Sequence, residues 1–73
     1  EEVAQDMATG EGEALTALSV SMGIEAGDRA RFNAAMHENF AVIFPHQDVT
    51  AEEVMASITE VMKQDESLSK YLA

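Results

Sequence analysis

Seventy-three residues carrying 14 acids against 4 bases, a net charge of −10, make one small domain that is poorly suited to nucleic acid or anionic lipid, since both call for clustered Lys and Arg. The chain has no cysteine, so disulfide staples and thiol chemistry are excluded, and stability has to come from helix packing or a partner chain. No stretch approaches the ~20 apolar residues of a membrane span.

Along the chain, Val3, Met7, Gly10, Ala14, Leu18 and Met22 advance by three and four without a slip. That phase predicts one helix over about 2–22, tolerating two glycines that cost ~1 kcal/mol each against alanine. Gly10 falls on the inward stripe, where a missing side chain lets another helix come close. Gly12 falls on the outer side, where alanine is expected to bring a small gain. The acids Glu1, Glu2 and Asp6 suit the positive end of the helix dipole. Gly23 ends this helix as a C′ glycine, with Ile24 packing back.

Asp28 is the expected N-cap of a second helix, about 29–44, whose inward stripe is Phe32, Met36, Phe40 and Ile43. Pro45 forbids continuation, because it lacks an N–H and restricts the residue before it. Thr50-Ala51-Glu52-Glu53 then spells a capping box, with Val49 and Val54 placed as a hydrophobic staple. The third helix, about 51–63, carries Val54, Ile58, Val61 and Met62 on its apolar face. Asp65 caps a short last helix, 66–72, with Leu68, Tyr71 and Leu72. No strand pattern or repeat intervenes. The predicted fold is all-α, a small bundle of three main helices plus the short C-terminal one, forming a single domain over 1–73.

Residues able to carry chemistry are few. Asn39 falls inside the apolar stripe of the second helix, and a buried amide must find partners or cost about 1–3 kcal/mol. It reads as a structural polar group tying nearby backbone, or else as the centre of a small pocket. His37 and His46 are the two imidazoles. His37-Glu38 opens like a zinc-protease helix, but Ala41 stands where the second histidine of that motif belongs. A metal set of His37, His46 and Asp48 requires the chain to fold back after Pro45. Neither an EF-hand loop nor a Gly-flanked nucleophilic serine is present. No catalytic residue, metal or cofactor is assigned, and the chain reads as no enzyme.

The apolar faces of the second and third helices are wider than one stripe. Phe44 projects about 80° from the centre of its stripe and Met55 lies at the edge of the other. Exposed apolar patches of this kind mark contacts, so Phe44 and Met55 are the expected interface of a homo-oligomer, a homodimer first of all, or of a protein partner.

The run Ala8-Thr9-Gly10-Glu11-Gly12-Glu13, then Leu15 to Met22 and Gly23, then Asn39-Phe40-x-x-Ile43-Phe44-Pro45 and a capped acidic helix, resembles the C-terminal part of a bacterial family of small exported proteins known only as a domain of unknown function. The resemblance implies a periplasmic or secreted location and a longer protein of which this is a fragment. It brings no activity, cofactor or functional residue. The expected function is therefore a non-catalytic helical interaction or structural module. The alternative is a small-ligand or metal binder using His37, His46 and Asp48, or a pocket at Asn39.

Overall fold

A computed structural model describes residues 2–72, leaving residues 1 and 73 outside it, the dipole role expected of Glu1 included. Six α-helices run α1 (Glu2–Thr9), α2 (Glu13–Ser21), α3 (Arg29–Glu38), α4 (Phe40–Ile43), α5 (Ala51–Lys63) and α6 (Glu66–Ser69), with 3-10 turns at Ala26–Asp28 and Lys70–Leu72. Among the described residues there is no strand, and the fold is all-α as predicted.

The long first helix of the sequence reading is two helices. Gly10 and Gly12 both take positive φ, at 93° and 146°, conformations that glycine reaches without a Cβ penalty. The chain breaks after Thr9 and restarts at Glu13. Asp6 explains the restart. Its Oδ2 accepts the N–H groups of Ala14 at 2.9 Å and Leu15 at 3.1 Å, the second and third residues of α2. A carboxylate on α1 thus does what an N-cap side chain does, satisfying donors that the first turn leaves unpaired. A Cβ on Gly12 would fall 2.1 Å from the Asp6 carboxyl carbon, so Gly12 does not tolerate alanine freely, contrary to the sequence expectation. Gly10 does lie against another helix: its notional Cβ sits 3.4 Å from the ring of His37 on α3.

At the end of α2 the predicted stop is in place. Gly23 has φ 78° and donates its N–H to the Val20 carbonyl, while the Ile24 N–H reaches Ser19. This pairing is the Schellman arrangement, and Ile24 is buried behind it.

The second predicted helix also divides. At Asn39 (φ −110°, ψ 20°) the backbone leaves helical geometry, and both its N–H and its Nδ2 donate to the Ala35 carbonyl, at 3.1 and 2.9 Å. An asparagine side chain that bonds local backbone competes with the helical ladder, which gives the kink a cause. Asn39 ties backbone as expected, but the backbone is that of its own helix. After the short α4, Phe44 leaves the helical region at φ −121°, ψ 72°, in keeping with the bias against αR for the residue before a proline.

Thr50 and Glu53 form the reciprocal capping box, with Thr50 Oγ1 accepting the Glu53 N–H and Glu53 Oε1 accepting the Thr50 N–H. Asp65 caps α6 by accepting the Ser67 N–H at 2.8 Å. The expected helix 66–72 is one α-helical turn followed by a 3-10 turn.

Each helix contributes to one core: Met7 from α1, Leu15 from α2, Phe32, Ala35 and Met36 from α3, Ile43 from α4, Ile58, Val61 and Met62 from α5, and Leu68 from α6. α1 packs on α2, α3 and α4, and α5 packs on α3, α4 and α6. Consequently the N-terminal turns of α1 and α5, with the loop 44–50 between α4 and α5, are left around a shared opening.

Candidate binding groove

That opening is an apolar groove of about 620 Å³, within the size range of ligand clefts. Val3 and Ala4 of α1 and Leu18 of α2 line one part. Phe40 and Phe44 line another, and Val49, Ala51, Val54, Met55 and Ile58 complete the apolar lining. Ile58 is wholly buried, while Met55 is 41% exposed. The rings of Phe40 and Phe44 lie 5.8 Å apart and tilted by 34°, an aromatic contact that holds both half-buried against the bundle. Val49 and Val54, on either side of the capping box, both line the groove where the loop meets the start of α5. His46 and Gln47 supply the polar part of the lining.

The chemistry of this lining is narrow. Among the described residues, one imidazole is its sole ionisable side chain, and no carboxylate, hydroxyl or thiol joins it. Glu2, Asp48 and Glu52, all exposed, are chain neighbours of the lining residues Val3, Gln47, Val49 and Ala51. The cations are committed elsewhere. Arg29 Nε donates to the Ile24 carbonyl, Arg31 pairs with Asp65 and Glu38, Lys63 with Glu60, and Lys70 with Asp28.

The histidine–aspartate set expected from the sequence does not assemble. His37 Nδ1 lies 3.0 Å from the Met7 carbonyl and links α3 to α1. His46 Nδ1 instead accepts the Asp48 N–H within its own loop. Among the described residues, no three His, Cys, Asp or Glu side chains are placed to hold a metal ion. Asn39 does not line the groove either, though its neighbour Phe40 does. Phe44 and Met55, chosen for their position off the main stripes, come together in the groove wall.

Asp28, expected to cap a helix, makes no capping bond. Its Oδ2 accepts the Tyr71 hydroxyl at 2.5 Å and meets Lys70 Nζ at 3.1 Å, while Tyr71 Oη accepts the Glu25 N–H. These bonds tie the C-terminal turn to the α2–α3 link. The Tyr71 and Lys70 donors hold the Asp28 carboxyl below its ordinary range, and the Asp28 carboxylate in turn raises Tyr71. The Asp65 carboxyl is likewise lowered, first by Arg31.

Residues 1–72 match the family model described as Protein of unknown function (DUF3015). The chain belongs to this family. Neither a curated protein nor a solved structure matches it. In this DUF3015 member, Val3 and Leu18 are among the groove residues that sequence reasoning did not place on a contact surface, with Phe40, Val54 and Ile58, which it read as core. Val3 and Leu18 lay on the stripe assigned to one continuous helix, but α1 and α2 separate at Gly10–Gly12, and Val3 of α1 and Leu18 of α2 line the same groove. The glycine pair itself was the available signal.

Proposed function

We propose that this domain is a non-catalytic helical interaction module whose working surface is the groove at Phe40, Phe44, Val54 and Met55. The observation that carries this is the lining: an open apolar groove at the meeting point of three segments, with one imidazole and one amide as its polar side chains. Covalent or acid–base catalysis needs a nucleophile or a tuned pair of titratable groups within reach of substrate, and this lining favours contact over chemistry. The resemblance to exported proteins supports a periplasmic or secreted setting. Self-association through the groove is less well supported than a different partner, because a second copy would bring the same acids against Glu2, Asp48 and Glu52.

The test is a neutral apolar fluorophore, N-phenyl-1-naphthylamine, titrated against the folded domain. Its emission should rise on binding, and the rise should be lost in Met55→Lys with an unchanged far-UV circular dichroism spectrum. No enhancement with the wild type, or an equal one in Met55→Lys and Phe44→Ser, means that the groove is not an accessible binding surface and overturns the reading.

A further inference from the structure

The geometry points to a specific occupant for the groove: a cationic amphipathic helix, with large apolar side chains on one face and Lys or Arg flanking them. This rests on the groove being the working surface. Two features select the occupant. The lining offers apolar contact along two helix ends and a loop, the shape into which an amphipathic helix lays its apolar face. The charged residues next in the chain to the lining are exposed acids. Glu2 adjoins Val3, Asp48 lies between Gln47 and Val49, and Glu52 follows Ala51. None of the four cations lines the groove, and each is engaged in the bonds described above.

The N-termini of α1 and α5 at the rim oppose this field, but each contributes only about half a positive charge. Three exposed carboxylates outweigh them. Anionic occupants such as a free acyl carboxylate, an acidic peptide or a second copy of this chain therefore meet repulsion, while Lys or Arg at the ends of an apolar stripe meets attraction. Complementary fields of this sort act on encounter rate and on the choice between partners.

The probe is a synthetic Leu/Lys peptide patterned as an amphipathic helix, compared with a scrambled peptide of the same composition and with the Leu/Glu peptide of the same pattern. Binding is followed by fluorescence anisotropy in low and moderate salt, and located by methyl shifts in two-dimensional NMR. The patterned Leu/Lys peptide should bind at least about tenfold tighter than either control, weaken as salt rises, and shift the methyls of Val49, Val54 and Met55. Asp48→Lys combined with Glu52→Lys should remove the preference over the Leu/Glu peptide. Should that variant unfold, the wild-type shift map and salt dependence decide alone. Equal binding by the scrambled or Leu/Glu peptide, shifts centred away from the groove, or a second copy of the chain holding the groove against the Leu/Lys peptide would each overturn the assignment. Dye binding without the peptide preference refutes the occupant and leaves the groove standing. Loss of dye binding refutes the groove itself.

Discussion

Asp6 and Gly12 are one device split between two helices. The carboxylate needs room to reach the first N–H groups of α2, and Gly12 leaves it by having no Cβ, at a φ that L residues rarely adopt. Asp6→Ala should cost ~1 kcal/mol, the usual loss for a helix N-cap. Gly12→Ala should cost more, about 1–3 kcal/mol, since it adds backbone strain to the displaced cap. The two effects should not add. In an Asp6→Ala background the steric part of the Gly12→Ala penalty disappears, and a double-mutant cycle in urea would show coupling above about 0.5 kcal/mol. Strict additivity would mean that the collision with the carboxylate is not what fixes glycine there.

At the scale of elements, much of the local start and stop grammar was legible. The Thr50–Glu53 box, the Gly23 stop, the Pro45 boundary and the Asp65 cap all stand as read. Signals acting at a distance were not legible. Periodicity across Gly10–Gly12 kept its phase in the sequence although the chain turns there, so Leu15 and Ser19 face the core while Leu18 is left half-buried beside the groove. Asp28 looked like a cap, yet it serves a tyrosine 43 residues away, a pairing that no local pattern reveals. Phe44 and Met55 stand out in the sequence because an apolar residue off its stripe is visible in one helix alone, whereas the place of Val3 depends on the contact between helices. The long-range carboxylates also contribute to the acid response. Asp28 and Asp65 have folded-state values below those of the unfolded chain, so their stabilisation is complete above the ordinary carboxylate range near ~4 and is lost as pH falls through the lowered values. Tyr71 is raised, so its share persists below ~10 and is lost as pH rises through the higher value. Thermal melts of Asp65→Asn should lose part of the acid-side slope seen in the wild type. Tyr71→Phe should weaken the alkaline decline and lower stability at neutral pH. Unchanged pH profiles in both variants would show that these bonds do not hold the fold.

Over the whole molecule, ten excess negative charges share a body of 31 × 22 × 19 Å. The opposing attractions are few, each with an exposed cation: Arg31–Asp65 at 2.5 Å, Lys70–Asp28 at 3.1 Å and Lys63–Glu60 at 3.2 Å are the closest ion pairs among the described residues. Pairs with a solvent-exposed member contribute little individually, while like-charge repulsion acts between many carboxylates at once. The screening length at 0.1 M salt is ~10 Å, shorter than the molecule but longer than any ion pair in it. Added salt therefore removes repulsion across the body while leaving the close pairs partly intact. The melting temperature should rise between low and moderate sodium chloride, and sedimentation at low salt should report a monomer, with any self-association appearing as salt is raised. A cationic amphipathic partner should show the opposite trend and release as salt is raised. A melting temperature that falls with salt would put the ion pairs ahead of net charge as the governing electrostatic effect. A dimer that is strongest at low salt would imply an interface away from the acidic rim of the groove.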